Sequence, residues 1–247
     1  MVDIFNLNKQ GIIGLQPEAV TEPFSWEELE HILRQLDCIW KYDYSAYDQG
    51  RAGLHALLKS GRHSEAFVLL KNVLLEYPNM RQIFAAQMVA KFRECTTYPD
   101  PIWIAGVPAA ASKLAESVAE ILGAKCAEMH KDESGVIVLD SDIPEGESIW
   151  PIEDVCTKGT GISEAIRAIR AKCSKANILP VVSVVLNRGG LSEVDVPEIG
   201  AFDVVYLTNR LIRDYPADNC PLCGGGSKPI KPKADPENWQ LIKESQL

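Results

Sequence analysis

Hydrophobic positions along this chain change their period as the chain proceeds. Residues 1–24 carry no regular apolar repeat and read as an irregular lead-in. At Ser25 the pattern becomes helical. Ser25 and Glu28 have the spacing of a capping box, and Leu29, Ile32, Leu33 and Leu36 fall on one face. Residues 40–50 are polar and aromatic without a period, which predicts a loop. Met80, Phe84, Met88 and Phe92 then recur every four residues, which predicts a helix from about Asn79 to Arg93 with a buried stripe.

From Pro101 short apolar runs alternate with helical stretches. Ile102–Ala105 reads as a strand and Ser112–Leu122 as a helix stopped by Gly123. Lys125–Met129 and Val136–Leu139 read as short strands, and Ile149–Ile152, Ile178–Leu186 and Val204–Leu207 continue the series. Such alternation predicts an α/β fold, a parallel sheet flanked by helices. In sheets of this kind, ligands bind beyond the carboxyl ends of the strands. The residues after Pro216 are rich in Pro, Gly and Lys and read as an irregular tail.

Composition narrows the picture. The 247 residues are 46% hydrophobic, enough for one substantial core with a small appendage. A net charge of −9 argues against a protein that coats nucleic acid. No apolar run reaches the length of a membrane span, and MVDIFNLNKQ lacks the apolar stretch of a signal peptide. A cytoplasmic protein is the expectation. Seven scattered cysteines suit reduced thiols better than a disulfide framework. Cys220-Pro221-Leu222-Cys223 is half a zinc ligand set, but no His-x-x-His or second C-x-x-C accompanies it, so no residue is assigned to a metal.

The stretch Ile149–Ile166, IWPIEDVCTKGTGISEAI, holds the densest chemistry. An apolar strand ends in Glu153 and Asp154. The loop Val155-Cys156-Thr157-Lys158-Gly159-Thr160-Gly161 follows, and a helix over Ile162–Arg170 begins. Loop N–H groups and a helix start attract a phosphate, Thr hydroxyls donate to its oxygens, and carboxylates accept from sugar hydroxyls. Acidic pairs and Thr/Gly turns are each common, and the order of the parts sets this stretch apart. It is neither a Walker loop nor a GxGxxG fingerprint. Gly106-Val107-Pro108-Ala109-Ala110-Ala111-Ser112-Lys113 likewise follows a strand and opens a helix, and its small side chains let a polyanion approach the backbone.

The strand, acidic pair and Thr/Gly loop resemble the phosphoribosyl pyrophosphate (PRPP) motif of type I phosphoribosyltransferases. Leu58-Lys59-Ser60-Gly61-Arg62-His63-Ser64-Glu65-Ala66-Phe67 is similar to the LKSGRxSPxF stretch of orotate phosphoribosyltransferases, with Glu65 where Pro is usual. By chemistry alone, the default reading of Lys59 and Arg62 is a solvated basic turn. The resemblance covers roughly Leu58 to Leu207, and the CPLC tail also looks like that of some bacterial members. It implies a type I phosphoribosyltransferase sheet preceded by a helical and hood segment over residues 1–100, with the core over 101–215 and the tail over 216–247. By resemblance, PRPP would bind at Glu153, Asp154, Val155, Cys156, Thr157, Lys158, Gly159, Thr160 and Gly161. Pyrophosphate would bind at Gly106, Val107, Pro108, Ala109, Ala110 and Lys59, and Lys59, Lys131 and Asp154 would be catalytic.

The implied reaction joins PRPP to orotate, with Mg²⁺ as cofactor and a homodimer as the assembly; no nucleic acid or membrane takes part. Two departures keep alternatives open. The family's Lys-rich mobile loop corresponds to Met129-His130-Lys131-Asp132-Glu133-Ser134-Gly135, which is short and lacks the second Lys and the His-Gly. Where some members place an Arg for the orotate carboxylate, this chain has Ser163. Another nucleobase, or a non-catalytic PRPP or nucleotide sensor, remain the alternatives.

Overall fold

The computed structural model describes residues 2–247. Its first residues are turns held by local caps, not an irregular lead-in. Asp3 caps a 3-10 turn over Ile4–Asn6, Asn8 caps α1 (Lys9–Ile13), and a further 3-10 turn covers Pro17–Ala19. Side-chain caps of this kind leave no hydrophobic period, which is why the sequence pattern misses them. Helix α2 (Trp26–Gln35) starts on the predicted capping box: Glu28 N donates to Ser25 Oγ at 3.2 Å, and Ser25 N donates to Glu28 Oε2 at 2.9 Å. Its apolar face, Leu29, Ile32 and Leu33, is buried.

The stretch read as a loop instead holds β1 (Ile39–Lys41) and α3 (Tyr44–Asp48), the latter capped by Asp43 through the Ser45 and Ala46 N–H groups. Strands β2 (Leu54–Leu57), β3 (His63–Ser64) and β4 (Ala66–Val68) follow, then α4 (Leu70–Glu76) and α5 (Pro78–Cys95). The predicted stripe of Met80, Phe84, Met88 and Phe92 is buried.

Next come β5 (Trp103–Gly106), α6 (Ala110–Leu122), β6 (Lys125–Ala127), β7 (Met129–Lys131), β8 (Ile137–Leu139) and β9 (Ser148–Cys156). Gly123 ends α6 at φ 63°, a left-handed cap that glycine takes without a Cβ clash. Then α7 (Thr160–Lys172), β10 (Asn177–Ile178), β11 (Val181–Asn187), β12 (Glu193–Val196) and β13 (Gly200–Asn209) complete the alternating part. The tail is not irregular. Just before it lies β14 (Asp214–Tyr215), and the tail itself forms a 3-10 turn, α8 (Pro221–Gly224), β15 (Lys228–Ile230) and α9 (Pro236–Glu244). No helix among the described residues is long and apolar enough to cross a membrane.

Two compact units share these elements, and they divide the chain differently from the three consecutive segments expected. One unit takes the residues up to Leu36 together with Leu70–Leu211, and the other takes Asp37–Leu69 with Ile212–Leu247. Side-chain packing explains the first departure. Phe92 of α5 stacks on Trp150 of β9 with ring centroids 4.3 Å apart, so the helix belongs to the sheet's own core. Strand pairing explains the second. β15 runs parallel to β2 and β14 antiparallel to β3, so the tail completes a sheet begun before residue 70.

The larger unit is built on a sheet of order β12-β13-β11-β9-β5-β6, with β10 also pairing β9. The pairs are parallel except β12 with β13. β11 is buried at every position, as a strand covered on both faces must be. The register aligns the carboxyl ends: Gly106 lies opposite Ile152, Cys156 opposite Asn187, and Asn187 opposite Asn209.

The capping box makes one energetic claim testable. Ser25→Ala should lower stability by about 1 kcal/mol. For a chain of this size that is a fall in melting temperature of roughly 2–4 °C. An unchanged thermal midpoint would show that the cap adds nothing beyond the burial of α2.

Candidate active site

The carboxyl edge of the larger unit's sheet gathers the segments that carry chemistry. Strand β9 runs further than the apolar pattern predicts. Glu153 and Asp154 lie within it, and not at its end, because the ladder to β11 continues through Glu153↔Val184 and Val155↔Leu186 to Cys156↔Asn187. Both acids are half-buried, with the Glu153 carboxyl group the enclosed part of its side chain. Only residues 157–159 separate β9 from α7, which begins at Thr160, two residues earlier than predicted.

Three close approaches fix this connection. Gly159 caps α7 at φ 70°, and a Cβ there would lie 2.6 Å from Val194 Cγ2 of β12. A Cβ on Gly161 would lie 2.5 Å from Glu153 Oε1 and 3.2 Å from Val107 Cγ1. The acidic strand, the first turn of α7 and the loop after β5 therefore meet at one point. The third approach involves Gly189, where a Cβ would lie within 1.8 Å of the Thr157 carbonyl oxygen. Arg188 N and Gly189 N both donate to Cys156 O, at 2.8 and 3.1 Å. The sequence reading passes over Gly189. Its signal was the Gly189-Gly190 pair two residues after the mainly apolar run Val181–Leu186.

The loop after β5 is held in the same way. Val107 N donates to Ile152 O at 2.9 Å, and a Cβ on Gly106 would lie 2.1 Å from Ala111 O. Helix α6 thus starts against the backbone of β5. The Pro108–Ala109 peptide is cis. No side chain caps α6 or α7 at its N-terminus. Their first-turn N–H groups suit an anion, and the partial positive charge of each helix start adds to this. Thr157, Lys158 and Thr160 line the β9–α7 connection, with Lys158 and Thr160 exposed. Ser163, one turn into α7, donates its N–H to Gly159 O at 2.9 Å.

Electrostatics distinguish the groups. Burial, reinforced by the charge of Asp154, pushes the Glu153 carboxyl up to about 8, and Lys131 acts in the opposite direction. Lys131 therefore lies close enough to act on the acid. Burial also pushes the Cys156 thiol up to about 12, with the Glu153 charge adding to it and the Gly159 N–H opposing it. Cys156 is an inert, buried thiol and no nucleophile.

Where the mobile loop is expected, Met129–Gly135 forms one strand and the turn of a hairpin. His130 and Lys131 belong to β7, which pairs antiparallel with β8 through His130↔Val138 and Lys131↔Ile137. Asp132 closes the turn: its Oδ1 accepts from Ser134 N, Ser134 Oγ and Val136 N at 2.7–2.9 Å. Buried Met129, Ile137 and Leu139 anchor the hairpin. His130 is exposed and bonds Asp140 at 2.7 Å.

Lys59 belongs to the other unit, exposed in the turn between β2 and β3, which Leu58 N closes by donating to Arg62 O at 2.8 Å. Arg62 is held at 2.7 Å by Asp214 and is a structural cation. Glu153 and Asp154 are carboxylate oxygen donors at this edge of the larger unit that a hard divalent cation could use. Mg²⁺ is commonly held by one or two carboxylates together with substrate phosphates, and this pair fits that pattern.

No family model matches the chain. Orotate phosphoribosyltransferase from Thermoanaerobacter sp. (strain X514) is 31% identical over 182 residues, which cover 72% of this chain and 87% of that protein. The chain belongs to the orotate phosphoribosyltransferase family. These are enzymes that transfer a pentosyl group. Orotate phosphoribosyltransferase from Thermus thermophilus is 30% identical over 178 residues, 70% of this chain and 88% of that one. Among solved structures, orotate phosphoribosyltransferase from Aeropyrum pernix has a TM-score of 0.47 at 18% identity, over 67% of this chain and 92% of that one. Family membership agrees with the parallel sheet and with the convergence of the β5–α6 and β9–α7 connections.

The raised Glu153 pKa carries a consequence for stability. Below its ordinary value of 4.5 the carboxyl is protonated whether folded or unfolded, and its contribution is fully present. Between that value and about 8 the unfolded chain ionises while the folded chain keeps the proton, so stability falls as pH rises. Glu153→Gln stays neutral throughout. The urea midpoint of the native protein should fall relative to Glu153→Gln between roughly pH 5 and pH 8. Parallel midpoints across that range would mean that Glu153 ionises normally.

Proposed function

We propose that this chain transfers the ribose 5-phosphate of PRPP to orotate, giving orotidine 5′-phosphate and pyrophosphate. The observation that carries the reading is the meeting of Glu153, Gly161 and Val107 at the sheet's carboxyl edge. It joins a carboxylate to two uncapped helix starts, and a phosphorylated sugar bearing a pyrophosphate has the matching groups. The 5′-phosphate binds at Thr157–Gly161, and the Gly106–Ala110 loop receives the pyrophosphate. Glu153 and Asp154 accept hydrogen bonds from the ribose hydroxyls and supply negative potential as C1 becomes cationic. Ionised, Glu153 does this best, and the nearby Lys131 favours that form.

Lys59 and Lys131 stabilise anionic oxygens of the leaving group. Such charged hydrogen bonds are worth about 1.5–3 kcal/mol each. Mg²⁺, which Glu153 or Asp154 would hold together with PRPP oxygens, would lower the charge cost of pyrophosphate departure. Positioning and electrostatics carry the reaction, and no side chain is asked to move a proton. A cytoplasmic location suits soluble substrates of this kind.

One observation favours a second reading. The segment in the mobile loop's place is a short turn closed by Asp132, which suits a sensor that holds PRPP without turning it over. A pyrophosphate-release assay with PRPP, Mg²⁺ and orotate, uracil, adenine, guanine or hypoxanthine separates the readings. Release with orotate alone is expected. PRPP binding without release from any base would establish the sensor instead. Asp154→Asn should lower kcat/KM by about 100-fold or more, and Lys59→Ala by roughly 10- to 100-fold, both with unchanged melting temperature. Wild-type kinetics in Asp154→Asn would remove the PRPP assignment.

A homodimer is the proposed assembly, supported by the family resemblance and by the prevalence of two-fold dimers. Lys131 favours the charged form of Glu153 in its own chain, which supports a lysine that serves its own subunit's site. Light scattering should give a dimer, and mixing Lys131→Ala with Asp154→Asn subunits should restore no activity. Recovered activity would mean that Lys131 serves the partner's site.

A further inference from the structure

Four side chains of the smaller unit converge on one point with no part in the transfer chemistry. His55 of β2 is fully buried and His63 of β3 is 5% exposed. In the β2–β3 hairpin His63 lies opposite Leu57, and His55 precedes Leu57 by two residues, so both imidazoles emerge on the same face. Cys220 and Cys223 come from the tail, around the start of α8. A tight turn follows them: Gly224 N donates to Cys220 O at 3.0 Å, Gly226 N to Cys223 O at 2.9 Å, and Ser227 N to Leu222 O at 3.0 Å. Gly226 takes φ 88°, and the chain re-enters the sheet as β15, alongside β2.

The potential ligand atoms of all four residues lie within 4.8 Å of one another. His55 Nε2 is 3.0 Å from His63 Nδ1, 3.7 Å from Cys220 Sγ and 3.6 Å from Cys223 Sγ. Cys223 Sγ is 3.3 Å from His63 Nδ1. A tetrahedral zinc with ordinary Zn–N and Zn–S bonds places nitrogen about 3.3 Å from nitrogen and about 3.6 Å from sulfur. The observed separations match that set closely.

The surroundings settle which nitrogen of His55 faces the group. Ser227 Oγ donates to Gly53 O at 3.2 Å, which leaves a lone pair to accept from His55 Nδ1–H at 2.9 Å. The neutral imidazole then presents the bare Nε2 lone pair to the other three ligands. Metal-bound histidines are commonly oriented through the opposite ring nitrogen in this way. Two imidazoles and two thiols in a buried tetrahedral group select zinc over magnesium or calcium, which take oxygen. With four protein ligands and no open position, the site is structural.

We propose that His55, His63, Cys220 and Cys223 form a structural Zn²⁺ site that ties the β2–β3 hairpin to the C-terminal segment. The unit it closes is assembled from two stretches far apart in the chain, Asp37–Leu69 and Ile212–Leu247. A small core joined this way gains most from a cross-link between its segments. The sequence shows only the Cys pair, because the histidines lie more than 150 residues earlier, at |i−j| of 160 to 168 from their cysteine partners.

The test uses the full chain, purified under reducing conditions without added metal. Elemental analysis should find about one zinc per chain. After chelation, Co²⁺ alone should bind with the visible bands and thiolate charge-transfer absorption of a tetrahedral S₂N₂ site. Cys223→Ser and His63→Asn should each lose the metal or abolish the Co²⁺ spectrum. A metal-free chain with free thiols and no Co²⁺ spectrum would overturn the proposal. So would a Cys220–Cys223 disulfide in the freshly isolated protein, or zinc retained at full occupancy in both variants. The wild-type zinc content and Co²⁺ spectrum decide the matter even where a variant fails to fold. They are also independent of turnover, so a failed transfer assay leaves them standing.

Discussion

The ladder that holds β9 between β5 and β11 is the constraint on which the active site depends. Pairing with β5 ends at Ile152, and pairing with β11 alone carries β9 on past its apolar run, through Glu153 to Cys156. The acids therefore follow directly from a segment bonded on both edges, which has little freedom to shift. The loops around them are then held by close approaches at glycine, two of them against backbone and one against the Glu153 side chain. Gly106 lies against Ala111, Gly161 against Glu153 and Gly189 against Thr157. Three strand ends are thereby brought to one place, with helix starts left open toward it. Preorganised donors and charges of this kind suit a reaction whose barrier is largely electrostatic.

Burial of Glu153 works against this arrangement and also tunes it. Desolvation and the adjacent Asp154 both favour the protonated acid, while Lys131 favours the carboxylate. A cationic transition state and a bound divalent cation would act in the same direction as Lys131. The free protein thus holds a carboxyl whose charge rises when positive charge arrives beside it. Like-charge neighbours would only destabilise a purely structural site, and a site for a cation-forming sugar turns the same repulsion to use.

The parts of this molecule that were legible in sequence were those governed by local periodicity. The capping box at Ser25, the stripe on α5, the Gly123 stop and the alternation of strands and helices all appear where the pattern places them. What escaped depends on partners distant in the chain. The tail looks irregular because its order comes from pairing with β2 and β3, and no periodic face is needed for a two- or three-residue strand. The contact of Gly189 with Thr157 is a tertiary matter that a Gly-Gly pair only hints at. Likewise Cys220 and Cys223 show half of a group whose other half lies on a separate hairpin.

The β7–β8 hairpin shows how a missing motif can be misread as a missing function. A mobile loop brings its lysine to the site only on closure, and part of the binding energy is spent in ordering it. Here the Asp132 carboxylate accepts three hydrogen bonds within its own turn, and Met129, Ile137 and Leu139 fasten the strands to the core. Lys131 is therefore held on a strand from the outset, within electrostatic reach of Glu153. A lysine held in this way needs no ordering step before its charge can act on Glu153.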